Sequence, residues 1–314
     1  MNQMFLLMIG VLGVAGIGSL LSSSDDDELE PLPDDPIRGR DVIDGSADDE
    51  ALTGTAADEV IRAWEGDDTV SGGGGNDAIY GGTGDDLVLA QDGDDEVFLG
   101  AGNDVYGDLD LGADEGSDTL WGGSGDDTIT VNGGTHELWG DDEDDDREGD
   151  DLLTANGGQV TIRGGQGDDT MAAFDDTSDA ADVLYGGDGD DELTLGAGDS
   201  GDGGDGSDRF VMDAGLESAA RIADWQGDDR IVVNYVGTTD SPPDVEVVQA
   251  GANAQLVVNG QVLAVLQDTD ANDVGNIDLV ARSSSTGAVI GSVVGGPAGL
   301  TGGVVGPSGP TIIG

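Results

Sequence analysis

The side chains best placed to do chemistry in this chain are aspartates that recur behind closely spaced glycines. Gly72-Gly73-Gly74-Gly75-Asn76-Asp77-Ala78-Ile79-Tyr80 runs straight into Gly81-Gly82-Thr83-Gly84-Asp85-Asp86-Leu87-Val88-Leu89. Both fit G-G-x-G-x-D-x-U-x, where U is a large apolar residue. Glycines leave backbone carbonyls open to approach, and the aspartate adds a carboxylate, so each turn offers hard oxygen donors to a cation. The rest of the composition closes off other chemistries. The chain has 314 residues, 68 acidic against 9 basic, a net charge of −59, one His and no Cys. All nine basic residues are arginines. A surface so acidic repels phosphate, which argues against a nucleic-acid partner. Disulfides, Cys-His nucleophiles and zinc sites built from several His or Cys are excluded.

The repeat is more extensive than its two clearest copies. Four further full matches start at Gly122, Gly164, Gly186 and Gly203, and weaker copies fill the gaps, giving 18 units over 36–211. Position eight is apolar in 17 of them, from Ile43 to Phe210, with Asp202 the exception in an eight-residue unit at 195–202. Position six is Asp or Glu except at His136, Val160 and Ser200. A charge of −59 on a compact chain is self-repelling. Such a chain is either disordered or folds when cations neutralise it, and a pattern held in phase over two positions favours folding.

This block resembles the haemolysin-type calcium-binding nonapeptide repeats of RTX proteins. The resemblance implies an all-β fold, a right-handed parallel β-roll, with multiple Ca2+ ions held in the turns. The implied metal positions are Gly72, Gly73, Gly75 and Asp77; Gly81, Gly82, Gly84 and Asp86; Gly122, Gly123, Gly125 and Asp127; Gly164, Gly165, Gly167 and Asp169; Gly186, Gly187, Gly189 and Asp191; Gly203, Gly204, Gly206 and Asp208. Asp68, Asp95, Asp104, Asp118, Asp151 and Asp182 join them from the weaker copies. Calcium takes about six to eight oxygens, more than one turn supplies, so turns 18 residues apart on successive coils are expected to share an ion. Asp68/Asp86 and Asp77/Asp95 are such pairs.

Elements must hold those turns. Positions seven to nine alternate out, in, out, as a short strand requires. The expected core is one apolar side chain per nonad and little else, so ion binding is expected to contribute much of the folding free energy. Acidic insertions at 108–112, 140–145 and 173–176 read as loops. His136 reads as a weakened turn. Trp121 and Trp139, 18 residues apart at position nine, should stack as a cross-coil ladder, with a carbohydrate or partner patch as the lesser reading.

The ends differ from the repeat. Residues 1–24 carry an apolar run at 4–21 that fits either a secretory leader or a membrane anchor. An acidic linker, 25–35, follows. Residues 212–281 read as a β-rich cap, with a hairpin at Asn259-Gly260. Arg221–Val233 is similar to the segment that closes the roll in serralysin-type domains. Residues 282–314 form a Gly/Ser-rich tail, positioned for a type I secretion signal. The expectation is a non-enzymatic calcium-binding protein, secreted or cell-surface, that folds on meeting extracellular calcium. A surface-layer, adhesive or matrix role, with a cell-surface or matrix partner, is the alternative, and polysaccharide binding or modification the minor one.

Overall fold

The structure, a computed structural model, describes residues 40–107, 116–141, 149–174, 181–237, 241–283, 288–295 and 304–305. The expected leader or anchor, the linker, 108–112 and most of the other two insertions and the tail lie outside the described residues. So does the run at 4–21; among the described residues no helix is long and apolar enough to cross a membrane. What is described of those two insertions, 140–141 and 173–174, continues the strands Thr135–Asp141 and Thr170–Phe174 rather than forming loop.

The chain is all-β. Its strands alternate between two 13-stranded sheets, so that each pair of nonads makes one coil. In the uninterrupted region Ile61 sits beside Ile79 and Ile79 beside Val97 in one sheet, while Val70 sits beside Val88 in the other. The step between coils is 18 residues there, and every pairing is parallel. Insertions lengthen the step without moving the register: Val97 still meets Leu120, and Ile129 meets Leu153.

Position eight faces inward. From Ile61 to Phe210 its apolar side chains are buried, whereas Ile43 and Leu52 in the first coil are partly exposed. The core is thicker than one side chain per nonad. Where position one is not glycine its side chain also points in, and Ala63, Ala90, Leu99, Val131, Ala155, Ala173, Leu195 and Met212 are buried beside the position-eight column. Position one follows position eight by two residues, so the pleat puts both on one face.

Parallel stacking runs past 211. Ala220–Ile222 pairs with Ser200–Asp205, and Arg230–Val236 with Arg209–Asp213. Gln261–Leu266 and Ile277–Arg282 add one further coil. Arg221–Val233 therefore continues the roll rather than closing it. Antiparallel strands complete each sheet: Asn253–Val258 and Val245–Ala250 in one, Val289–Gly295 and Val304–Val305 in the other. The Asn259-Gly260 hairpin forms, with φ of 51° and 80°. Antiparallel pairing at the end of a parallel stack changes the strand direction presented to any further coil.

Candidate metal centre

The position-six carboxylates lie along the two long edges of the roll, one per coil. On the Asp68 edge they form an unbroken ladder. The Glu50 N–H donates to Asp68 Oδ1, Asp68 N–H to Asp86, and the pattern repeats through Asp104, Asp127, Asp151, Asp169, Asp191 and Asp208 to Asp229, at 2.7–3.2 Å. On the Asp77 edge, Glu59 N–H donates to Asp77, Asp77 to Asp95, and Asp95 to Asp118. That ladder changes character at His136 and Val160, then resumes from Val160 N–H to Asp182 Oδ1 and from Asp182 N–H to Asp199.

Each ladder bond uses one carboxylate oxygen. On the Asp68 edge the second oxygen, Oδ2, is buried without a hydrogen-bond partner in every member from Asp68 to Asp208, and the same holds for Asp77. A buried charge left unpaired is costly. Burial accordingly pushes these carboxyls up from 3.8: Asp77, Asp86 and Asp191 to about 6, Asp104, Asp151 and Asp208 to about 7, Asp127 and Asp169 to about 8. Neighbouring carboxylates add to the rise, and the ladder N–H groups oppose it.

Backbone oxygens converge on the same places. The point where a side chain would begin on Gly72 lies 2.8 Å from Asp77 Oδ2 and 2.6 Å from the Ala90 carbonyl oxygen of the next coil. Gly81, Gly122, Gly140, Gly164 and Gly186 have the same pair of oxygens at the same point. The glycines at positions two and four of each full match serve the turn itself. Gly82 and Gly84, at φ of 118° and 127°, would drive a Cβ into the Trp64 and Gly66 carbonyls of the preceding coil. Gly73, Gly75, Gly123, Gly125, Gly165, Gly167, Gly187, Gly189, Gly204 and Gly206 share this backbone.

Among the described residues no three His, Cys, Asp or Glu side chains cluster to hold a metal. An ion in these turns would be held by one or two carboxylates with several carbonyls, a donor set of oxygen alone that suits calcium and not zinc or copper. The orphaned buried Oδ2 atoms are the observation that fits a cation to the site.

A comparison with protein-family models finds the RTX calcium-binding nonapeptide repeat over 44–79, 53–88, 71–106, 113–146, 147–173 and 176–200. The chain carries RTX calcium-binding repeats. No curated protein matches it. Repeats of this kind bind calcium, and the ladder carboxylates with an unsatisfied oxygen lie within the matched segments or, at Asp208, in the next turn.

Not every RTX turn of this chain is alike. Glu50 and Glu59, in the first described units, fold back on their own turns. Glu50 Oε2 accepts from the Ser46 N–H at 2.7 Å, and Glu59 Oε2 from the Thr55 N–H at 3.0 Å, with Thr55 Oγ1 donating to Oε1. Their oxygens are satisfied by protein. Asp199 and Asp229 behave likewise, accepting from the Gly196 N–H at 2.5 Å and the Gln226 N–H at 2.6 Å. Both were missed in the sequence. The deletion in 195–202 falls within the turn, so Asp199 takes position six, Ser200 position seven, and Gly201 rather than Asp202 sits on the inward column beside Leu184. Asp229 belongs to Gln226-Gly227-Asp228-Asp229-Arg230-Ile231, which keeps the G-x-D-x-U spacing without the leading glycine pair.

His136 is 3% exposed. Its Nδ1 lies 3.3 Å from the Asp118 N–H and 3.1 Å from Asp118 Oδ2, and its Nε2 has no partner. An imidazole thus stands where the ladder elsewhere has a carboxylate. Trp121 and Trp139 are register neighbours on the outer face. Trp121 stacks on Phe98 (4.3 Å, 2°), Phe98 on Tyr80 (5.1 Å, 3°), and the Arg163 guanidinium lies 4.2 Å over Trp139. The stacked rings are thus Tyr80, Phe98 and Trp121; Trp121 and Trp139, expected to stack, are register neighbours without a ring contact, and Trp139 meets Arg163 instead. Phe98 is sandwiched between Tyr80 and Trp121, and the Arg163 guanidinium covers one face of Trp139.

Proposed function

We propose that this protein is a calcium-responsive β-roll, exported and folded by the calcium it meets outside the cell. The carrying observation is the run of buried carboxylates on the Asp68 edge, from Asp68 to Asp208, each with one oxygen unpartnered. Calcium would be held at Asp68, Asp77, Asp86, Asp104, Asp127, Asp151, Asp169, Asp191 and Asp208, with carbonyls of the glycine turns completing the shell. Asp95, Asp118 and Asp182 occupy equivalent ladder positions. When bound, the ion supplies positive charge and extra oxygen coordination between coils. The chain's own contribution is to hold each Oδ1 on a backbone N–H, leaving Oδ2 aimed inward, and to keep the turn free of side chains. The units of Glu50 and Glu59 continue the coil without taking an ion.

Ion-free, the chain carries its −59 charge and its ladders repel. In a low-calcium cytosol that favours an open, export-competent chain. At roughly millimolar calcium, the level at which extracellular modules fill, the roll assembles. We read it as a binding protein, not an enzyme, because its paired carboxylates are committed to the ladders. A surface or matrix role remains compatible with a rod of this kind.

Far-UV circular dichroism of the full chain during a calcium titration, with magnesium as control, tests the reading. A cooperative coil-to-β transition with calcium and not magnesium is expected. A chain equally β-rich in chelator would overturn ion-gated folding.

A further inference from the structure

The Asp77 edge is built differently in its middle. Most turns on this edge place a carboxylate at position six, as 75–77 does with Asp77 between Thr69–Gly74 and Ala78–Thr83. Two consecutive turns do not. Only Gly133-Gly134 separates Thr128–Asn132 from Thr135–Asp141, and only Gly157-Gly158 separates Leu152–Asn156 from Gln159–Gln166. All four glycines have φ between 62° and 86°. Position six in these units is His136 and Val160.

Protein contacts bind the two turns to each other. Gly133 N–H donates to the Asn156 carbonyl at 3.1 Å, and Gln159 N–H to the Gly134 carbonyl at 3.0 Å. Asn156 Nδ2 donates to Asn132 Oδ1 at 3.0 Å. Just beyond, Arg163 pairs with Glu137 at 2.6 Å while its guanidinium lies 4.2 Å over Trp139 and 5.3 Å over Tyr185. None of these contacts needs a cation. They are also unlike their neighbours. The Asp68 ladder repeats the same residue at each coil, so a slip by one whole coil would rebuild it. The Asn132/Asn156, Glu137/Arg163 and Trp139/Arg163/Tyr185 contacts exist at one register only.

We propose that the Asp77 edge from Asn132 to Val160 is an ion-free seam, held by protein contacts alone, that fixes the coil register for the ladders around it. The inference rests on the reading that those ladders take calcium, since the seam is defined against them.

Hydrogen–deuterium exchange of the full chain, read peptide by peptide while calcium is stripped stepwise, tests it. Peptides covering 129–139 and 153–163 are expected to keep their protection to a free calcium level about tenfold lower than peptides covering 77–88 and 184–193. A common midpoint for all of them would overturn the seam while leaving calcium binding intact. No response to calcium in any peptide would overturn both together. The N156A/R163A double variant, folded in saturating calcium, is expected to bring the seam's midpoint to that of the flanks. An unchanged difference would show that these side chains do not hold it.

Discussion

In chelator, acid should fold this chain and alkali should open it. The raised carboxyls set the direction. A carboxyl with a folded-state pKa above its unfolded value binds more protons in the fold, so stability falls as pH rises between the two values. For Asp127 those values are 3.8 and about 8, and for Asp169 the same. One such shift, about 4 units at ~1.4 kcal/mol each, amounts to about 6 kcal/mol, comparable with the whole stability of a small domain. The members of the ladder interact, so their shifts do not add, but one or two suffice to decide the state. The window is pH 4 to 8. Far-UV circular dichroism in chelator is expected to show β structure near pH 4.5 and its loss by pH 8. With calcium present the dependence reverses in form: protons compete for the carboxylates, so the calcium midpoint rises as pH falls from 8 to 5. Simple relief of surface repulsion has the same sign, and salt separates the two. At about 0.5 M salt exposed charges are screened, whereas the burial of Asp127 persists. The D127N/D169N variant should flatten the ion-free pH profile. A chain as β-rich at pH 8 as at 4.5 in chelator, or a calcium midpoint indifferent to pH, would refute the reasoning.

Other substitutions separate the ion-holding turns from those that only continue the coil. Asp77→Asn should lower the number of calcium ions bound in calorimetry, whereas Glu59→Gln should leave it unchanged, because Glu59 is already satisfied by Thr55. Gly167→Ala places a Cβ against the Gly149 carbonyl at φ 124°, and should cost about 1–3 kcal/mol from backbone strain alone; denaturant midpoints in saturating calcium measure it. Trp121→Ala removes the stack on Phe98, worth about 0.5–1.5 kcal/mol beyond the buried area, and should lower that midpoint without altering calcium stoichiometry.

Much of this was legible in the sequence because position six and position eight carry independent information. Aspartate at one and an apolar residue at the other hold the phase even where glycines are lost, as at Asp104 and Leu153. Phase failed where length changed inside a turn: counting forward through 195–202 puts Ser200 at position six, and only the pairing of Leu184 with Gly201 shows that the missing residue precedes Asp199. The glutamates were opaque for another reason. Nonad spacing makes Glu59 and Asp77 equivalent, but one extra methylene lets Glu59 reach back to its own turn. The position-one side chains that thicken the core, such as Leu99 and Met212, were hidden by a consensus that writes glycine there.

Among the described residues the Asp68 ladder begins at Glu50 and ends at Asp229, and both termini have their second oxygen occupied by a backbone N–H of their own turn. Eight open carboxylates are thus enclosed between two closed ones. A periodic array of identical half-sites would otherwise present a dangling half at each extremity, ready to share an ion with the extremity of a second molecule and to propagate as a filament. Among the described residues this array is therefore finite: neither Glu50 nor Asp229 offers a free carboxylate oxygen through which an ion could bridge to a second molecule on this edge.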